Sequence, residues 1–240
     1  RGEGEVWIRD RCEIPGQELV YWQGVLAEGR TECESFPLQG VVSNDRAVVT
    51  AALSNEETRL LLTEVHDAYN TQVNDILLAA LLLAYHSWST HHCLHLHLEG
   101  HGREELTEHL DLGRTVGWFT TLFPITLRMV EPELGAVLIA VKERLRAIPN
   151  KGIGFGVLRY WHPEREVRTQ LRGSDVALSF NYLGQFDQSV NDGPFQFSPE
   201  YTGADAGENE KSAHSLDVVS MVTKGMLNVR FQYDRGAHSK

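Results

Sequence analysis

Residues 75–88, DILLAALLLAYHSW, are apolar around almost the whole circumference of a helix, and no other stretch constrains the fold as much. A helix without a polar face has to meet packed layers on more than one side. Asn74 is placed to cap it. Residues Cys93–Leu98 follow as CLHLHL, in strict alternation. That is the pattern of a strand with leucines on one face and His95, His97 and then Glu99 on the other. A central apolar helix that feeds a strand predicts a layered α/β protein.

The flanking segments extend this pattern. Leu19, Trp22, Val25 and Leu26 recur at helical spacing over Gly16–Gly29, and residues 30–45 read as a connecting loop. Ala47–Leu53 reads as a strand. Ser54 and Glu57 form a capping box for a helix whose buried face is expected from Leu60, Leu61, Leu62, Val65 and Tyr69. Phe123–Val130 reads as a strand, and a helix from Pro132 to Pro149 carries Leu134, Val137, Leu138, Val141 and Leu145 on its apolar face. VALSFNYLGQF is a strand interrupted at Gly184, and Ser215–Thr223 and Met226–Tyr233 form two more, joined at Lys224–Gly225. Hairpin and crossover connections together predict a mixed β-sheet packed with helices.

Composition excludes several classes of function. The chain has 240 residues, of which 42% are hydrophobic and 23% charged, with no low-complexity tract, so it is expected to fold, as one unit. The 33 acidic and 22 basic residues give a net charge of −11, and no basic stripe offsets it, which argues against nucleic acid and anionic membrane surfaces as partners. The longest apolar run, Ile76–Tyr85, is far shorter than the roughly 20 residues that span a bilayer. Cys12, Cys33 and Cys93 are odd in number and show no CxxC spacing. Neither a disulfide framework nor a thiolate metal site is therefore expected, and the cytoplasm is the expected location. The absence of an initiator methionine reads as the mark of a piece of a longer protein.

The densest chemistry lies in Glu99–Pro124, EGHGREELTEHLDLGRTVGWFTTLFP. Gly100 and Gly102 let the backbone turn and leave no side chain between Glu99, His101, Arg103 and an approaching molecule. Further on, Arg114, Gly117, Trp118 and Phe119 supply a cation, a flexible point and two aromatic faces. The two segments read as halves of one site.

Five motifs, DILLAALLLAY, EGHGREEL, RTVGWFTTLFP, PNKGIGFGVLRY and SFNYLGQF, follow one another from Asp75 to Phe186. In order and spacing they resemble the later signature motifs of epimerization domains of nonribosomal peptide synthetases, within the condensation-domain superfamily. The GHGRE and FNYLGQ forms separate this subtype from condensation domains proper. The resemblance implies the chloramphenicol-acetyltransferase-like fold, two similar α/β halves in a V. It also implies inversion of the α-carbon of an aminoacyl or peptidyl thioester, delivered on the 4'-phosphopantetheine arm of a peptidyl carrier domain. No cofactor of the chain's own is implied.

By motif match, Glu99 is implied as the acid/base carboxylate, and Asn181 and Tyr182 as residues lining the same cavity. An amide and a phenol suit a thioester oxygen or a proton relay. His101, Arg103, Gly100, Gly102, Arg114 and Trp118 are implied to shape the loop and the substrate path. Arg103 is equally well read as a clamp on a carboxylate such as Glu104 or Asp111. Trp118 and Phe119 are expected as tunnel wall or core. The family's early HHxxxDG motif, whose second histidine is the other catalytic group, is absent, since His91 and His92 lack the following aspartate and glycine. Residues 1–240 are thus expected to be the C-terminal half of the domain, partnered by an N-terminal half and inactive alone. Two alternatives stand beside this reading. His95, His97 and Glu99 share one strand face and form a candidate metal site; or the half-domain is a noncatalytic docking module.

Overall fold

The computed structural model describes residues 16–33, 45–103, 112, 114–172, 176–185, 200 and 212–238. The chain divides into two compact units where one was expected, the first comprising residues 1–34 and 78–176 and the second residues 35–77 and 177–240. Because the second unit collects two separated stretches, no single composition shift marks a boundary along the chain.

In the first unit, α1 (Gly16–Thr31) and α4 (Leu134–Arg146) accompany β2 (Cys93–Gly100) and β3 (Thr121–Arg128), which pair antiparallel with Leu96 opposite Ile125 and Glu99 opposite Leu122. Most residues of β2 and β3 are buried on both faces, so the two histidines of CLHLHL enter the interior rather than a polar surface. Trp22, fully buried, packs its ring against Phe123 and Phe155 at centroid distances of 5.9 and 5.1 Å. The run NKGIGFGVLRYW, to which sequence pattern assigns no element, forms a 3-10 turn (Pro149–Gly152) and then α5 (Ile153–Trp161); α6 (Arg165–Gln170) follows. On α4, Val137 and Val141 are buried as expected, whereas Leu134 is exposed in the first turn.

In the second unit the strands run β1 (Arg46–Ala52), β6 (Met226–Asp234), β5 (Leu216–Thr223), β4 (Leu178–Gln185). The β1–β6 and β5–β6 pairs are antiparallel and β4–β5 is parallel, which makes the sheet mixed. Lys224 and Gly225, with φ of 54° and 71°, close the β5–β6 hairpin with two left-handed residues, as its right-handed twist requires. The capping box of α2 (Asn55–Thr63) is formed in full: the Ser54 amide donates to Glu57 Oε2 at 2.8 Å, and the Glu57 amide donates to Ser54 Oγ at 3.3 Å. This helix ends at Thr63, so Val65 and Tyr69 lie beyond it and are exposed rather than part of its buried face. Helix α3 (Val73–Ser89), which begins in this unit and continues from Leu78 in the first, starts one residue before Asn74; the Asp75 carboxylate accepts from the Gln72 amide at 2.7 Å and supplies the cap. Leu78, Ala79 and Leu82 on α3 are fully buried.

A disulfide joins Cys33 to Cys93, which corrects the expectation that the cysteines stay unpaired. The two are 60 residues apart in sequence and meet because the end of α1 runs beside the start of β2, a proximity that spacing does not encode. Reduction, or Cys33→Ser, is expected to lower the free energy of unfolding by up to about 4 kcal/mol on the chain-entropy account of a loop of this length. Urea unfolding with and without reductant measures this, and an unchanged midpoint would show that the bond constrains nothing.

Candidate active site

The site grows from the paired ends of β2 and β3 in the first unit. Glu99 is partly buried at the end of β2, next to the buried Leu98, and Gly100 faces Thr121 across the ladder. Gly100 is not needed for its backbone angles but for space, since a Cβ there would lie 2.8 Å from Thr121 Oγ1. Gly102 is needed for both. Its φ is +65°, and a Cβ would lie 1.7 Å from the carbonyl oxygen of Phe119. The EGHGRE and TVGWF segments therefore run close together at Gly102 and Phe119.

Arg103 holds the same junction. Its Nη1 donates to the carbonyls of Leu112 and Thr115 at 2.5 and 2.9 Å, and its guanidinium lies 4.2 Å from the centre of the Phe119 ring. The clamp is thus made on backbone carbonyls and an aromatic face; Glu104 and Asp111 lie outside the described residues. His101 is exposed, and its Nδ1 accepts from the Arg103 amide at 3.0 Å. Arg114 is exposed as well. Trp118 is 87% exposed, which corrects its reading as core, and only Phe119 of the two aromatics is partly buried.

Asn181 and Tyr182 belong to the second unit, on the regular part of β4, opposite Val219 and Ser220. Consecutive strand residues project to opposite faces, so the two side chains do not share one, contrary to the expectation of a common lining. The Tyr182 ring packs against the cluster of Leu61, Val222 and Leu227. Burial raises its phenol above the usual tyrosine range. Beyond Tyr182 the register breaks, with Gly184 at φ 86°.

The histidines do not assemble a metal site: among the described residues no group of three His, Cys, Asp or Glu side chains converges. His95 packs against Gly29 of α1, where a Cβ would lie 2.5 Å from its ring, and its Nδ1 is 2.9 Å from Thr126 Oγ1. Burial, then the Arg30 charge, lowers its pKa to about 4, so it is neutral at pH 7. His86 Nδ1 lies 3.1 Å from the His91 carbonyl, and the His86 and His92 rings stack at 4.5 Å.

A family model for the condensation domain matches residues 16–240, and the chain belongs to that family. It is 42% identical over 234 residues to a linear gramicidin synthase of Brevibacillus parabrevis, a match covering 93% of this chain and 3% of that protein. It is 36% identical to bacitracin synthase 3 of Bacillus licheniformis, covering 93% of this chain and 4% of that protein. Among solved structures, the epimerization domain from the third module of tyrocidine synthetase B superposes with a TM-score of 0.79 at 35% identity, covering 91% of this chain and 49% of that one. The X-domain from teicoplanin biosynthesis, at 16% identity and a TM-score of 0.62, shares the fold. The fold is the chloramphenicol-acetyltransferase-like one, and the chain spans about half the length of the solved epimerization domain.

Two expectations test this description. Gly102→Ala, which forces a side chain into a left-handed position against a carbonyl, is expected to destabilise by at least about 2 kcal/mol, whereas Gly156→Ala on α5, with open space around it, should stabilise by roughly 0.5–1 kcal/mol. Urea denaturation of the two variants checks the contrast in sign. The partly buried His95 makes the second. Its folded pKa of about 4 lies below its ordinary value of 6.5, so the unfolded chain takes up a proton first as the pH drops. Stability from this residue is complete above pH 6.5 and is lost towards pH 4, by about 1.4 kcal/mol per pH unit at the steepest. The difference in unfolding free energy between the protein and His95→Asn, measured across that range, should shrink as the pH falls; a constant difference would refute it.

Proposed function

We propose that this chain supplies the carboxylate-bearing part of an epimerization domain, which inverts the α-carbon of an aminoacyl or peptidyl thioester held on a carrier protein's phosphopantetheine arm. The observation that carries the reading is Glu99: a partly buried carboxylate at the end of a buried strand, followed by a glycine loop fixed against Phe119. Partial desolvation raises the proton affinity of a carboxylate, as a base for a weakly acidic α-proton requires. In the proposed step Glu99 takes the α-proton, the C–H electron pair forms a double bond from the α-carbon to the thioester carbon, and the carbonyl π pair moves onto the oxygen to give an enolate. A proton returned to the opposite face of the carbon then completes inversion, with no net gain or loss of atoms. The Tyr182 phenol and the Asn181 amide, which the resemblance implies as cavity-lining residues, are hydrogen-bond donors of the kind an enolate oxygen takes. Because the two face opposite ways on β4, the reading takes one of them in that role, not both.

The opposite-face donor is expected from the N-terminal half of the domain, where the family's second HHxxxDG histidine lies. The chain's span of 49% of the solved epimerization domain supports this division, and with it the reading that residues 1–240 alone do not invert a substrate. The exposed Val116 and Trp118 favour docking of further protein surface beside the site, which is also what a noncatalytic docking module would offer.

The test is α-proton exchange from an aminoacyl-pantetheine thioester in deuterated solvent. The full-length protein carrying this chain is expected to exchange and invert; Glu99→Gln should slow both by roughly 100-fold or more, and Tyr182→Phe and Asn181→Ala should differ in effect. Rapid exchange by residues 1–240 alone would overturn the need for a second half, and an unaffected Glu99→Gln protein would leave only the docking reading.

A further inference from the structure

A second carboxylate of the first unit lies outside the chemistry described so far. Glu18, in the first turn of α1, is 3% exposed. Trp22 Nε1 donates to its Oε1 at 3.2 Å, and Asn150 Nδ2 donates to its Oε2 at 3.0 Å. Gly154 leaves the space it occupies: a Cβ there would lie 1.8 Å from Glu18 Oε1. Burying a carboxylate opposes folding unless it is well bonded, and burial indeed pushes its pKa up against these two hydrogen bonds. A group retained under that penalty is expected to hold something in place.

What it holds is a strained turn. Asn150, Lys151 and Gly152 have φ of 45°, 51° and 88°, three successive left-handed residues of which two carry side chains. Such residues cost on the order of 1 kcal/mol or more each and persist only where their surroundings fix them. The turn reaches the candidate site on two sides. The Lys151 carbonyl oxygen lies 3.6 Å from where a Cβ of Gly100 would sit, and a Cβ on Gly152 would lie 2.1 Å from the Phe123 ring. Gly100 follows Glu99, and Phe123 follows Leu122, the residue paired with Glu99.

We propose that Glu18 is a positioning residue for Glu99: through Asn150 it fixes the left-handed turn on which the end of β2 rests. The inference rests on the reading of Glu99 as the acid/base group, and its test separates the two. Asn150→Asp in the full-length protein places a second carboxylate against Glu18 and breaks the bond. Glu18→Gln together with Asn150→Asp restores a carboxylate–amide pair with the polarity reversed, and the amide oxygen introduced at position 18 still accepts from Trp22. Asn150→Asp is expected to lower kcat for α-proton exchange about tenfold or more with KM little changed, and the double variant should recover to within about threefold of the unaltered protein. Amide hydrogen exchange, which needs no activity, should rise over Gly100–Arg103 in Asn150→Asp and return in the double variant. If the unaltered protein exchanges no α-protons, the proposed function falls and the amide data alone decide this inference. Unchanged protection of Gly100–Arg103 in Asn150→Asp, or a double variant no better than the single one, overturns it.

Discussion

The pairing of β2 with β3 is the constraint on which the rest of the site depends. It sets Glu99 opposite Leu122 and Gly100 opposite Thr121, so both ends of the EGHGRE-to-WFTT excursion leave the ladder at a fixed place. Leu94, Leu96, Leu98, Phe123, Ile125 and Leu127 hold that register by being buried. A slip of one residue would exchange the two faces of the strand, placing His95 where Leu94 or Leu96 packs. The location of a carboxylate is thereby decided by apolar contacts several residues away from it.

Above the ladder, the described residues Gly102 and Arg103 both meet backbone groups. Gly102 lets the chain pass against the Phe119 carbonyl, and Arg103 directs its donors at carbonyl oxygens of Leu112 and Thr115. Backbone carbonyls have fixed positions once the chain path is set, so an arginine fork aimed at them ties two chain segments together with little freedom left in either. The same logic operates in the second unit, where Arg46 bonds both Asp217, at 2.7 Å, and the Gln232 carbonyl, at 2.8 Å. His214, Ser179 and Arg46, against the opposing effect of burial, hold the Asp217 carboxyl down at about 2.

How far the sequence discloses all this depends on the range of the interaction involved. The Ser54–Glu57 box, the Lys224–Gly225 turn and the alternation of CLHLHL are local, and each is readable from a few neighbouring letters. NKGIGFG is not, because its glycines answer to groups distant in the chain: Gly152 to Phe123, and Gly154 to Glu18. Three glycines among seven residues lower helix propensity, yet α5 starts among them, since close approach of a ring and a carboxylate outweighs that cost. The Cys33–Cys93 bond and the exposure of Trp118 escape notice for the same reason. For Asn181 and Tyr182 the signal is present: adjacency on a strand already separates their faces, whatever motif they share. An Asn-Lys-Gly sequence is likewise a usable sign of left-handed backbone, since asparagine and glycine are the residues that tolerate it best.

Glu18 and Glu99 show how one unit gives two carboxylates different surroundings. Glu18 is sealed, with both oxygens engaged by the Trp22 and Asn150 donors and with Gly154 pressed against it, so no external proton donor or acceptor can reach it. A carboxylate in that state can hold a turn but cannot exchange protons with a substrate. Glu99 is partly buried, at a strand end, and the residue that follows it is a glycine packed close to Thr121. It is partly exposed, so a group outside the strand can reach it. Environment rather than residue type therefore separates the two carboxylates: one is closed off by Trp22, Asn150 and Gly154, and the other stays partly open at a strand end.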